Sequence, residues 1–230
     1  MEAGPLQPAS SDSALAALAA SWRAKSDSGE QSRAPVVAVL DGVTDPQNLG
    51  SIARAVAFLQ ADGLVISSKN CAPLSPAASK ASAGALEVLG ASGRLLLADR
   101  THRMLAAARS DGWRVLGADA AMDSDPEASG ASDVEVLRAS GVTSAEPIAQ
   151  SVSAAARSPL HASAAADPLT PTLLVLGSEG EGLRFVVREQ CDEFVAICPS
   201  SAGWSAGPVD SLNVSAAAAV LLYDLCRARR

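Results

Sequence analysis

The sequence predicts an α/β protein built on a parallel sheet with helices on both faces. Three observations carry that prediction. From Val36 onward short apolar runs alternate with helical patterns, the signature of strands joined by crossover helices. The chain has 230 residues and is 48% hydrophobic, enough for one packed domain, and with 3% aromatics its core must be filled by alanine and leucine. Polar groups also gather where apolar elements begin or end, as ligand-binding loops do at the carboxyl ends of strands in open α/β sheets.

Residues 1–33 are rich in Ala, Ser and Pro. Their helical pattern, Ser13 to Lys25, has no sustained apolar face, so a disordered tail is expected. Glu2, Asp12 and Asp27 set this stretch apart from the Arg-rich, acid-poor make-up of a transit peptide. Residues 34–230 then form the expected domain. Its first half reads as strand Val36 to Leu40, helix Leu49 to Leu59, strand Leu64 to Ile66, helix Pro76 to Ser82, strand Arg94 to Ala98, helix Met104 to Asp111 and strand Arg114 to Leu116. Residues 117–170, rich in Ala, Ser and Asp, read as a low-complexity surface excursion. Strand Leu173 to Leu176, helix Leu183 to Gln190, strand Phe194 to Ile197 and helix Leu212 to Cys226 complete the alternation.

The net charge is −7, whereas a nucleic-acid binder ordinarily shows a basic face. Eight acidic and two basic residues fall between Gly117 and Thr170, so this excursion holds −6 of that total and the rest of the chain is nearly neutral. Cys71, Cys191, Cys198 and Cys226 form no C-x-x-C pair, and His102 and His161 are the only histidines, so reduced structural thiols are expected and no metal site. No apolar run approaches the roughly 20 residues of a membrane-spanning helix, and a soluble protein is expected.

Three segments hold the candidate chemistry: Asp45 to Arg54 (DPQNLGSIAR), Leu174 to Leu183 (LVLGSEGEGL) and Val209 to Leu222 (VDSLNVSAAAAVLL). In the third, Asp210 or Ser211 is expected to cap the helix, which leaves Asn213 over. The glycine-rich turn of the second invites comparison with a dinucleotide site. Its order is G-x-x-G-x-G, and a pyrophosphate there would meet Glu179 and Glu181, so a cationic ligand suits it better.

The three segments resemble motifs 1, 2 and 3 of the SpoU (TrmH-type) RNA ribose 2′-O-methyltransferases of the SPOUT superfamily. The resemblance spans Val36 to Cys226 apart from the excursion, and LDGVTDPQN (Leu40 to Asn48) with PAASKASAGALE (Pro76 to Glu87) looks most like the mitochondrial large-subunit rRNA guanosine methyltransferase branch. It implies a deep C-terminal trefoil knot, S-adenosylmethionine as cofactor, an rRNA substrate and a homodimer. Arg54 matches the arginine beside the ribose hydroxyl, Asn48 the asparagine that orients it, Glu179 the motif 2 glutamate, and Ser211 and Asn213 the motif 3 pair. Leu176, Gly177, Ile197, Pro199 and Leu212 match the cofactor cradle, and Lys80 and Ser82 join Arg54 as expected RNA contacts. A guanidinium, with a pKa above about 12, is better read as stabilising a developing alkoxide than as a proton acceptor.

Each residue also has an ordinary structural reading. Arg54 is then a surface arginine, Asn48 a helix cap, Glu179 a solvated turn carboxylate, Ser211 a cap, and Lys80 a solvated lysine. His102 and His161 read as surface groups, and Trp113 and Trp204 as packing groups that would otherwise stack on bases. The loop from Cys198 to Ser211 is longer than in typical bacterial relatives. No RNA-recognition domain precedes Val36 here, so discrimination is expected from the dimer, a partner or residues outside this chain. Rival readings are a tRNA ribose methyltransferase, a non-catalytic SPOUT-like ribosome assembly factor, and a nucleotide-dependent oxidoreductase. The resemblance favours a mitochondrial location, with chloroplast or cytoplasm as alternatives.

Overall fold

The computed structural model describes residues 8–29, 33–118, 160–161, 169–178, 180–197 and 211–227. Strands are β1 (Ala9–Ser10), β2 (Val36–Leu40), β3 (Gly63–Ser67), β4 (Leu95–Ala98), β5 (Arg114–Ala118), β6 (Leu160–His161), β7 (Thr172–Leu176) and β8 (Glu193–Ala196). Helices are α1 (Ser11–Asp27), α2 (Pro46–Phe58), α3 (Pro76–Ser82), α4 (Ala85–Ala91), α5 (Thr101–Ser110), α6 (Phe185–Arg188) and α7 (Val214–Arg227). All eight strands lie parallel in one sheet of order β1-β4-β3-β2-β7-β5-β8-β6.

The central strands VVAVL, GLVIS and TLLVL are buried at every position, as a parallel sheet covered on both faces requires. Successive side chains alternate between the faces. Val36, Ala38 and Leu40 of β2 join Leu49, Ile52 and Val56 of α2, Leu86 and Leu89 of α4, and Leu221, Leu222 and Leu225 of α7 in one core layer. Val37 and Val39 face the other way, onto Leu15 and Ala19 of α1, Met104, Leu105 and Ala108 of α5, and Val187 of α6. The chain steps outward from β2 through β3 to β4, then crosses to β5 on the far side. β7 afterwards fills the gap, pairing Val36 through Leu40 on one side and Arg114 through Ala118 on the other.

Several expectations need correction. The stretch 1–33 holds a 17-residue helix whose Leu15 and Ala19 are buried against α5, so the described part of it is docked rather than a disordered tail. The sheet also reaches into the 117–170 excursion: β5 continues to Ala118, and Leu160–His161 pairs with β8. Helix α4 was not expected. Left-handed Ala83 (φ 51°) and Gly84 (φ 86°) break the chain between α3 and α4, and that Ala/Gly-rich junction reads as a helix end. The segments 119–159 and 198–210, whose course determines the expected knot, lie outside the described residues, as do Cys198 and Trp204. Trp113 is a core residue, 3% exposed.

Helix starts follow local chemistry. Asp45 caps α2 by accepting from the Gln47 amide (3.0 Å) ahead of Pro46, so α2 begins three residues before the apolar periodicity does. α3 crosses α2 so closely that a Cβ on Gly50 would stand 2.5 Å from the Ala78 carbonyl oxygen and 2.6 Å from the Ala81 Cβ. Gly50→Ala is therefore expected to lower stability by about 1–3 kcal/mol, read as a fall in melting temperature.

Candidate active site

The three polar segments converge at the carboxyl edge of β2 and β7. The Asp41 amide donates to the Leu176 carbonyl (2.9 Å), carrying the β2–β7 ladder one residue past the strands. Left-handed Gly42 (φ 85°) turns the chain against Ser178, whose Cβ would lie 3.3 Å from a side chain at position 42.

Beyond β7 the chain folds into a tight loop. Ser178 donates its amide to the Gly182 carbonyl (3.0 Å) and accepts from the Gly182 amide (3.1 Å), closing a one-rung bridge. Gly180 (φ 87°) and Gly182 (φ 67°) supply the left-handed backbone this closure needs. A Cβ on Gly177 would overlap the Gly182 carbonyl group and stand 2.7 Å from the Leu183 nitrogen. Arg184 leaves the loop extended and donates from Nε to Asp41 Oδ2 (2.8 Å) and from a terminal nitrogen to Asp41 Oδ1. The Asp41 side chain is fully buried while that of Arg184 is 43% exposed, and this hydrogen bond raises the Arg184 pKa above its ordinary value. Because Arg184 stays extended, α6 starts at Phe185 rather than at Leu183.

The third segment meets the first. Asn213 stands at the cap of α7: its Oδ1 accepts from the Ser215 amide (2.8 Å) and hydroxyl (2.6 Å), and its carbonyl accepts from the Ala217 amide (2.9 Å), while the expected cap Asp210 lies outside the described residues. Its Nδ2 is thereby turned outward and donates to Asn48 Oδ1 (3.1 Å), across 165 positions of sequence. Asn48 is 6% exposed in the first turn of α2, and since Asp45 takes the cap, the reading of Asn48 as a mere cap falls away.

The remaining expected residues divide clearly. Arg54 is exposed on α2 and has no hydrogen bond or ion pair among the described residues. Leu176 and Gly177 are buried at the end of β7, Ile197 is half-buried just past β8, and Ser211 and Leu212 are exposed at the entry to α7. Glu179 and Pro199 lie outside the described residues. Lys80 is exposed on α3. Ser82 is a correction: it is 1% exposed, donates to the Ser79 carbonyl (2.8 Å) and accepts from the Leu86 amide (3.3 Å), so its hydroxyl is occupied at the α3–α4 junction and not presented to RNA.

Sequence reasoning gave no role to Asp41 or Arg184. Asp41 stood inside the LDG triplet at the end of an apolar strand, and a carboxylate there was the available signal; Arg184 carried none. Cys71 is half-buried in the loop after β3, where the Ala72 amide donates to the Val43 carbonyl (2.8 Å). Burial pushes the Cys71 thiol from 9.0 up to about 11, partly offset by hydrogen bonds with the Ala72 and Ser67 backbone. The folded state thus holds this proton more tightly than the unfolded chain, and its contribution to stability is lost as pH rises from about 9 through 11. Native protein at pH 7.5 is expected to resist iodoacetamide at Cys71, which peptide mass mapping reads directly.

The SpoU rRNA Methylase family profile matches residues 35–223. The chain belongs to the SpoU rRNA methylase family. It is 32% identical over 194 residues to human "rRNA methyltransferase 1, mitochondrial", covering 84% of this chain and 45% of that protein. An uncharacterized tRNA/rRNA methyltransferase of Mycolicibacterium gilvum is 34% identical over 208 residues, 90% of this chain and 50% of that one. The chain therefore spans about half the length of these SpoU relatives. Among solved structures, an AdoMet-bound rRNA methyltransferase from Sinorhizobium meliloti superposes with a TM-score of 0.60 at 19% identity, covering 85% of this chain and 57% of that one, a likeness of fold. Membership of the SpoU family and the likeness to the Sinorhizobium meliloti structure agree with the parallel α/β sheet.

Proposed function

We propose that this chain carries the catalytic unit of an S-adenosylmethionine-dependent RNA ribose 2′-O-methyltransferase, acting as a homodimer on a guanosine of mitochondrial large-subunit rRNA. The observation that carries the reading is the Asn48–Asn213 hydrogen bond, which joins the first and third motif segments. Membership of the SpoU family supports the reaction class. The names borne by the human relative and by its counterparts from Dictyostelium discoideum and Schizosaccharomyces pombe support the substrate and compartment.

The residues present fit the cofactor. Gly177 has room only for a hydrogen against the Gly182 carbonyl, so the loop turns back tightly after Leu176 on bare backbone, and Ile197 and Leu212 are the apolar side chains expected to complete the cradle. When bound, S-adenosylmethionine supplies an electrophilic methyl group. The protein's own task is then to orient the ribose hydroxyl and to stabilise charge as the oxygen gives up its proton. Arg54 suits both duties: its guanidinium is permanently charged and presents a planar fork of donors that a phosphate or an alkoxide accepts. Asn48 and Asn213 hold the start of α2, which bears Arg54, against the start of α7.

Calorimetry of the intact chain with S-adenosylmethionine tests the cofactor reading, and the expected result is saturable one-site heat. A silent titration would favour the non-catalytic assembly factor. Transfer of labelled methyl to large-subunit rRNA, followed by mapping of nuclease-resistant linkages, tests the substrate; label entering tRNA instead would favour the tRNA reading. The near-neutral body predicts a shallow salt dependence of RNA binding, well below that of proteins making six to ten phosphate contacts.

A further inference from the structure

We propose that Asp41 and Arg184 are a positioning pair which fixes the Gly177–Leu183 loop in the shape that receives the methyl donor. The inference rests on the cofactor reading above and adds residues to which that reading gives no part. The loop has two ends. At Gly177 it is held by the β2–β7 ladder and by the Asp41 amide on the Leu176 carbonyl. At its return, the Asp41–Arg184 ion pair ties it back to the end of β2. Between these ends stand one backbone rung and two left-handed glycines, a segment with little stiffness of its own.

The geometry of the pair fits that task. Asp41 offers both carboxylate oxygens to one guanidinium, so the contact fixes orientation as well as distance. The carboxylate is wholly buried, and a buried charge without its partner is costly, so Arg184 is held in place even though almost half its side chain faces solvent. A single residue, Asp41, thus grips the loop twice: its amide holds the outgoing end and its carboxylate the returning end. Since Arg184 neutralises it and no water reaches it, Asp41 acts on the donor through the loop and not by contact.

Four variants of the full chain test this: Asp41→Asn, Arg184→Gln, Arg184→Lys, and Asp41→Asn with Arg184→Gln. S-adenosylmethionine affinity is measured by calorimetry well below each melting temperature, together with the KM for donor and kcat. Asp41→Asn and Arg184→Gln are expected to weaken binding about tenfold or more and to raise KM alike, with kcat at saturating donor largely kept. The double variant is expected to be no worse than either single one, because the second partner has nothing left to hold. Arg184→Lys, which keeps the charge on an exposed stem and loses the fork, is expected to restore melting temperature more than affinity. Losses that multiply in the double variant, or folded variants with wild-type affinity, overturn the proposal and reduce the pair to a stabilising contact. Hydrogen exchange at the Ser178 and Gly182 amides gives a donor-independent reading, with faster exchange expected in Asp41→Asn. If the wild-type chain binds no donor, the cofactor reading fails, and unchanged exchange at these amides would sink the clamp separately.

Discussion

Arg54→Ala is expected to slow methyl transfer by about a hundred- to a thousandfold, the equivalent of roughly 3–4 kcal/mol of lost charge stabilisation. The side chain is exposed and unpartnered among the described residues, so its removal should move stability by no more than about 0.5 kcal/mol. Donor binding should hold as well, because the loop after β7 is built without Arg54. The whole effect then falls on kcat and on RNA binding, which single-turnover measurements at saturating rRNA separate. Arg54→Lys discriminates further. A lysine keeps the positive charge and loses the planar fork, so a large share of the defect should persist. Near-full turnover with unchanged RNA affinity in Arg54→Lys would show that the fork has no part in the reaction.

Among the described glycines, Gly177 is where an added methyl group is expected to harm stability and donor binding together. The added carbon would meet the Gly182 carbonyl and the Leu183 nitrogen, both backbone, so no side chain can rotate away to make room. Either the Ser178–Gly182 rung opens or the end of β7 shifts against β2. A loss of about 1–3 kcal/mol in stability follows from overpacking, and about a hundredfold in donor affinity from displacement of the loop. Gly180→Ala is the control: nothing lies within 4 Å of its added carbon, and the cost is confined to strain at φ 87°. Calorimetry of the two variants side by side should show the contrast. Wild-type affinity in Gly177→Ala would remove this loop from the cofactor site.

Much of the fold was legible because continuous apolar runs such as VVAVL and TLLVL have few alternatives to buried parallel strands. What escaped the sequence depended on contacts distant along the chain. The α1 helix gives a weak pattern, Leu15 and Ala19 among serines and alanines, and becomes worth forming only against α5. The position of β7 between β2 and β5 is a long-range choice that periodicity does not encode. At the site, residue types and order pointed to Asn48, Arg54, Gly177 and Asn213. Orientation was another matter: that Asn213 caps α7 with one end of its amide and reaches Asn48 with the other depends on two helix starts meeting in space. The Ser82 expectation differs for a related reason, since its hydroxyl serves the junction with α4, a helix that periodicity did not mark.

The late arrival of β7 shapes how the polypeptide is made. A nascent chain that has reached β5 still has both β2 and β5 with unpaired backbone facing the vacancy, and the middle strand that satisfies them is synthesised only after a long acidic detour. Pairing so remote is slow to form, and open strand edges are templates for aggregation in the interval. Until residue 176 has emerged, the facing edges of β2 and β5 are the part of the nascent sheet open to pairing with another chain.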